Sequence, residues 1–185
     1  LLFRIGQLYE DKADYKKALV YYEESLKKQT NLNNRERMSE CLRDMGVVYL
    51  KLGDYSKAIQ YNEKEILILQ ELGDSVGVAE TWGTKAIIYA DQGKINEALH
   101  FNIKAKEVFE SKGLIAQLAV VNFSIGNLYV ENKDNQKALE YYIMSSNLFR
   151  SCNEYGGLAL NLMNIGHVYL SQKNYQEAKA HYEES

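Results

Sequence analysis

Residues 42–58 read LRDMGVVYLKLGDYSKA, and residues 122–138 read NFSIGNLYVENKDNQKA in the same register. In both, apolar residues recur at spacings of three and four up to a tyrosine. A short turn-prone segment follows, and an alanine stands nine residues beyond the tyrosine. The pattern extends over the whole chain with a period of 40: Tyr9, Tyr49, Tyr89, Tyr129 and Tyr169 form one column, and Ala18, Ala58, Ala98, Ala138 and Ala178 another. A fixed period of this size is the mark of a stacked repeat, each unit being one supersecondary element.

Three residues before each tyrosine stands Gly6, Gly46, Ala86, Gly126 or Gly166. Glycine inside a helix costs about 0.5–1 kcal/mol relative to alanine, so its recurrence implies close helix contact. The alanine column offers the matching flat surface on a second helix, and the tyrosine closes the gap beside them. Between the columns lie the turns Lys12–Tyr15, Leu52–Tyr55, Gln92–Ile95, Asn132–Asn135 and Gln172–Tyr175. In these, Gly or a polar residue ends the first helix, and Asp14, Asp54, Asp134 and Asn174 suit the N-cap of the second; Lys94 is a poor cap. Asn33, Gly73, Gly113 and Asn153 fall where each second helix should stop in a left-handed residue. Along the first helices the apolar sets Leu42/Met45/Val48/Tyr49, Ile125/Leu128/Tyr129 and Leu162/Ile165/Val168/Tyr169 keep helical spacing. Period 2 is absent, so strands are not expected.

Each repeat is therefore helix, tight turn, helix, left-handed stop. A single hairpin of this kind cannot cover both of its apolar faces, so neighbours stack. The expected fold is all-α: a right-handed superhelical solenoid of antiparallel helix pairs with a concave inner wall. A single array over 1–185 divides into repeats at 1–33, 34–73, 74–113, 114–153 and 154–185, the first and last incomplete. The chain opens within one amphipathic pattern and stops within another, so it reads as a fragment whose ends expose apolar surface.

Composition agrees with this and excludes other classes. The 185 residues are 46% hydrophobic and 25% charged, with a net charge of −3, 15 tyrosines and no proline. Its 22 basic residues are interspersed with 25 acidic ones, which leaves no positive stripe for nucleic acid. No stretch approaches the roughly 18 consecutive apolar residues that insertion in a membrane requires. Cys41 and Cys152 have neither CxxC spacing nor equivalents in other repeats, which points to two buried, reduced thiols. His100, His167 and His181 lie outside any metal-ligand motif, and P-loop, GxSxG and GxGxxG sequences are absent. Pairs such as Glu23-Glu24 and Glu183-Glu184 recur in register and read as solvated faces; Tyr21-Tyr22 and Tyr141-Tyr142 read as packing pairs. Neither enzymatic activity nor a cofactor is expected.

With those residues in hand, the chain resembles the tetratricopeptide repeat family, whose hallmark is small-x-x-aromatic in the first helix and a small residue in the second, here Gly46-x-x-Tyr49 with Ala58. The period is 40 rather than the usual number of about 34. Forty-residue versions resemble those of G-protein-regulator scaffolds, bacterial peptide-sensing regulators and repeat-bearing sensor kinases, and the link ELGDSVGVAETWGTKAIIY at 71–89 is similar in style. The resemblance implies a protein or peptide ligand held in a groove lined by first helices. The corresponding positions are Arg43, Asp44 and Val47; Gly83, Thr84 and Ile87; Phe123, Ser124 and Asn127; and Met163, Asn164 and His167. Asn127 and Asn164 are expected to make paired hydrogen bonds to a ligand backbone, Arg43 to meet a carboxylate, and Phe123 and Met163 to hold an apolar anchor. Val47 and Ile87 add exposed apolar surface that asks for a partner. Chaperone-tail clamps of the family grip a terminal carboxylate with a Lys and an Asn four apart. The pairs here are Phe3/Gln7, Arg43/Val47, Gly83/Ile87, Phe123/Asn127 and Met163/His167, so that role is not expected.

Three roles compete at this level. One is an interaction scaffold. The second is a peptide-sensing segment of a larger signalling protein such as a sensor kinase or transcription regulator, and the third is a structural array that self-associates through uncovered ends. A cytoplasmic setting is expected, with a periplasmic or extracytoplasmic sensor as the other setting.

Overall fold

The computed structural model describes residues 1–185 and contains ten α-helices and no strand. They are α1 (Leu2–Asp11), α2 (Tyr15–Asn31), α3 (Arg35–Lys51), α4 (Tyr55–Glu71), α5 (Ser75–Asp91), α6 (Ile95–Lys112), α7 (Ile115–Glu131), α8 (Asn135–Ser151), α9 (Tyr155–Ser171) and α10 (Tyr175–Glu184). None is long and apolar enough to cross a membrane. The chain divides into two compact units, Leu1–Ile88 and Tyr89–Ser185. In the first, α1 pairs with α2 and α3 with α4, and α2 also packs on α3. In the second, α7 pairs with α8 and α9 with α10, while α6 packs on α7 and α8 on α9.

The turns form as their residues dictate. Asp14, Asp54 and Asp134 accept hydrogen bonds from the backbone N–H groups of Lys17, Lys57 and Lys137, satisfying donors that open each helix. Lys94 makes no such bond; its ammonium instead lies over the Tyr89 ring, 5.7 Å from the centroid. Asn174, expected to cap α10, makes no side-chain cap bond either. Asn33, Gly73, Gly113 and Asn153 are left-handed as expected, with φ between 51° and 71°. Ala13, Lys133 and Lys173 are left-handed too, although neither alanine nor lysine favours that region. The helices on either side fix the turn, and the residue there bears the strain.

The core of the first unit gathers Ala18, Tyr22, Met45 and Val48, flanked by Phe3, Tyr9, Leu19, Leu26 and Tyr61. In the second it gathers Ala119, Ala138, Tyr142, Phe149, Leu158, Leu162, Ile165 and Val168. All five column alanines are buried. The glycines, however, do not face them. A Cβ on Gly6, Gly126 or Gly166 would lie 2.6 Å from the ring of Tyr22, Tyr142 or Tyr182, and one on Gly46 would lie 2.5 Å from Oδ1 of Asn62. The surface that needs the glycine is thus the residue four places after the alanine, one helical turn on. The glycine seats a flat ring at Gly6, Gly126 and Gly166 and an amide at Gly46, rather than admitting a neighbouring backbone.

The column tyrosines stack on an aromatic of the following helix: Tyr9 on Tyr21, Tyr49 on Tyr61, Tyr89 on Phe101, Tyr129 on Tyr141 and Tyr169 on His181, with centroids 5.2–5.6 Å apart. Such pairs contribute about 0.5–1.5 kcal/mol beyond their buried area. Cys41 is buried, its thiol pushed to a higher pKa by that burial and directed to Ser25 Oγ at 3.4 Å. Cys152 is only half-buried, standing at the C-cap of α8.

Candidate functional site

Helix spacing sets what the first helices present. In α3, the three- and four-residue rhythm turns Leu42, Met45 and Val48 inward. That rotation leaves Arg43 exposed and Asp44 and Val47 half-buried on the other side. In α5, Gly83 and Thr84 are half-buried and Ile87 is exposed; in α7, Phe123, Ser124 and Asn127 are half-buried. In α9, Met163 and His167 are exposed and Asn164 is half-buried. The positions form a mixed apolar and polar wall in each unit, and the two walls differ in charge.

In the first unit the wall is ionic. Gln7 donates to Asp44 Oδ2 across 3.2 Å, joining α1 to α3, and the Arg43 Nε lies 3.5 Å from Asp44 Oδ1. Burial raises the Asp44 carboxyl above the usual range, and Arg43 and Gln7 only partly oppose it. Behind it, the Tyr22 hydroxyl donates to Glu10 Oε2 at 2.7 Å, and Lys51 Nζ lies 2.8 Å from Glu10 Oε1. Burial, reinforced by the Glu10 bond, drives the Tyr22 phenol well above its usual pKa. The carboxylate that Arg43 was expected to meet in a ligand is thus already beside it in the chain.

In the second unit the wall is centred on an uncharged amide pair, with Glu131 and His167 lining the same cleft. The Tyr142 hydroxyl donates to Asn127 Oδ1 at 2.6 Å, and Asn164 Nδ2 donates to the same oxygen at 3.1 Å. Burial pushes the Tyr142 phenol up to about 12, so it is a permanent donor. Neither asparagine is therefore free to offer a ligand a complete amide pair. What remains unpaired is the Asn127 amide nitrogen, the second N–H of Asn164 and the Asn164 carbonyl, donors and an acceptor on α7 and α9. They border a cleft of about 390 Å³ that also takes in His167 and Ser171. Beside it Phe123 packs on Tyr142 at 5.9 Å, and His167 meets the Tyr182 ring edge-on at 5.5 Å. Met163 is 42% exposed and is the more available apolar contact.

One residue that sequence reading passed over is Glu65 on α4. It is 3% exposed, burial raises its carboxyl to about 7, and its Oε2 atom has no hydrogen-bond partner. Its column supplies the missing signal: the equivalent positions are Ser25, Ala105 and Ser145, all small and all buried. No group of His, Cys, Asp and Glu has metal-site geometry.

A model of the Tetratricopeptide repeat matches residues 1–71 and 116–185. A search of curated proteins finds no match. Among solved structures, the chain is similar to BtubC (BKLC) from P. vanneervenii, with 22% identity and a TM-score of 0.86 over 97% of this chain and 74% of that one. It is also similar to the apo form of RapI, at 19% identity and a TM-score of 0.87, covering 99% of this chain and 51% of RapI. A Rap protein complexed with Competence and Sporulation Factor matches at 15% identity and a TM-score of 0.81, again over 99% and 51% of the respective chains. The chain thus spans about half the length of these Rap proteins. At these identities the likeness is one of fold.

Proposed function

The chain belongs to the tetratricopeptide repeat family, and on that premise we propose that it holds a peptide or protein segment against its first helices rather than transforming a substrate. The observation that carries this reading is the paired amides of the second unit. Asn127 and Asn164 line the cleft and are fixed by Tyr142 and by each other, so their remaining donors and acceptor are held in place before a ligand arrives. One donor and one acceptor suit an extended backbone, which alternates N–H and C=O. Met163 supplies an exposed apolar contact on α9 of the same unit. That a Rap protein is complexed with Competence and Sporulation Factor gives the reading a precedent in a similar fold.

A second reading, a peptide-sensing segment of a larger signalling protein, draws on the same similarity, since the chain matches about half of each Rap chain. It requires an output domain in the intact protein. Either reading is tested by selecting peptides from a displayed random library on the parent chain and then on Asn127→Ala/Asn164→Ala. Peptides should be enriched on the parent and lose at least about tenfold in affinity on the variant, as expected for two hydrogen bonds of roughly 1 kcal/mol each. Enrichment of the same peptides with unchanged affinity on a variant that keeps its helical circular dichroism would remove the wall from consideration.

A further inference from the structure

We infer that the cleft between α3, α4 and α5 of the first unit is a subsite for one basic side chain, arginine or lysine, of the bound segment. This deepens the proposed function and rests on it. The cleft encloses about 260 Å³, close to the lower end of small-molecule pockets and suited to the tip of a single long side chain. It opens on the wall already described, because Arg43 and Thr84 belong to both.

The lining carries the carboxyl groups of Glu36, Glu40, Glu65, Asp74 and Glu80 against the single guanidinium of Arg43. Some of these have other work: Asp74 Oδ1 accepts the Gly77 N–H at 2.9 Å, and Glu40 Oε2 lies 2.6 Å from Arg37 Nη1. Such an acidic lining alone would mean only a hydrated surface. Glu65 changes that, since it lines the cleft while 97% of its surface is withdrawn from water and one carboxylate oxygen is unpaired. A buried unpaired carboxyl lowers stability, and serine or alanine serves the packing at the equivalent places in the other repeats. Packing therefore does not account for the glutamate. A cation entering the cleft would complete its hydrogen bonding and meet net negative charge in a partly desolvated setting.

Ionisation of Glu65 near neutrality supports the same reading. Arg43 on α3 and the Thr81 hydroxyl on α5 favour its ionised form, Asp44 on α3 and Glu80 on α5 oppose it, and Glu36, Glu40 and Asp74 line the same cleft. A bound cation favours the ionised carboxylate, so it should expel a proton and bind better at pH 8 than at pH 6.

The test uses the whole ¹⁵N-labelled chain titrated with N-acetyl-arginine amide, with the neutral N-acetyl-citrulline amide as the shape-matched control. Saturable amide shifts confined to Ser39, Gly77, Thr81 and Thr84 are expected with the arginine probe and absent with citrulline. Binding should weaken about tenfold or more in Glu65→Gln, as befits a charge-assisted hydrogen bond, and strengthen in Arg43→Gln, which removes the competing cation. Glu65→Ser, which installs the residue type of Ser25 and Ser145, serves if the glutamine variant does not fold. The proposal is overturned by the absence of saturable shifts there, by equal shifts with citrulline, or by unchanged binding in the folded Glu65 variant. Because the probe needs no peptide partner, its failure leaves the wall of the second unit untouched. Failure of the peptide selection with a positive probe titration would discard the proposed function while keeping a cation site.

Discussion

Gln7 and Asp44 in the first unit occupy the same repeat positions as Asn127 and Asn164 in the second, and both pairs bridge neighbouring first helices at 3.1–3.2 Å. The backbone solution is the same and the chemistry is not. The first pair ends in a carboxylate held above its usual pKa, beside Arg43 and backed by a Tyr22–Glu10–Lys51 chain. The second is uncharged, and its tyrosine turns to Asn127 because Val130 stands where the first unit has Glu10. A repeat thus fixes where side chains meet without fixing what they offer a ligand. The ionic pair should respond to pH and salt, and the amide pair should respond little to either.

The largest expected effect compares Glu65 with its counterpart Ser145, whose hydroxyl is satisfied by the Ala119 carbonyl at 2.8 Å. Burial raises Glu65 from 4.5 to about 7 in the fold. For an acid whose folded pKa is raised, the folded state binds the proton more tightly. The contribution of Glu65 to stability is therefore greatest below about pH 4.5 and falls as the pH rises to about 7. At 1.36 kcal/mol per pKa unit the loss is roughly 3 kcal/mol, on an order-of-magnitude basis. Urea unfolding at pH 4.5, 6 and 7.5 should show Glu65→Ser overtaking the parent by about that amount across the series. A difference independent of pH would mean that the carboxyl ionises alike in both states.

A smaller effect separates the two kinds of glycine seat. Gly126→Ala drives a methyl into the fully packed Tyr142 ring and should cost about 1–2 kcal/mol, even after the gain in helix propensity. Gly46→Ala meets the Asn62 amide oxygen instead, and Ala86 already stands at the equivalent place in the repeat whose counterpart residue is Asn102. Its cost should stay within about 0.5 kcal/mol. Equal denaturant midpoints for the two variants would erase the distinction between ring-seated and amide-seated repeats.

The smallest contrast lies in the bridging pairs themselves. Asn164→Ala removes one of two donors to Asn127 and should cost about 1 kcal/mol at any salt concentration. Asp44→Ala removes a hydrogen bond together with the penalty of a half-buried carboxylate, so its net effect should be under about 0.5 kcal/mol and should vary between 0.05 and 1 M salt. If the salt dependence appears in Asn164→Ala instead, the assignment of ionic and neutral pairs is reversed.

Much of the fold was legible because the same demand is repeated five times. A tyrosine column with an alanine column nine residues later states a helical hairpin, and the Asp caps and left-handed stops state its ends. The period could not show which residue meets the glycine. Recurrence says that a contact returns every 40 residues, but its partner depends on helix crossing, which placed Tyr22 and Tyr142 there rather than Ala18 and Ala138. The wall residues were legible as positions, since exposure follows from helical phase. That Asn127 and Asn164 bind each other was not, because they are 37 residues apart and only side-chain direction joins them. Glu65 was legible in principle as the one large ionisable residue in a small-residue column, and was obscured by the charged residues around it on α4.

The exact recurrence of the tyrosine column from Tyr9 to Tyr169, with no residue gained or lost between repeats, bears on how such a gene can change. A one-residue insertion inside a helix would shift every later side chain by about 100° around its axis and dismantle the ring seats and stacks together. Loss or duplication of 40 codons would bring glycine, tyrosine and alanine back into register, so unequal recombination between repeats is the step in length the packing accepts. Meanwhile Gly53, Gly73, Gly93 and Gly113 have nothing within 4 Å of where a Cβ would stand. Ala13, Lys133 and Lys173 show that side chains are borne at the same kind of turn. Point substitutions can therefore accumulate in the turns while the chain length remains quantised.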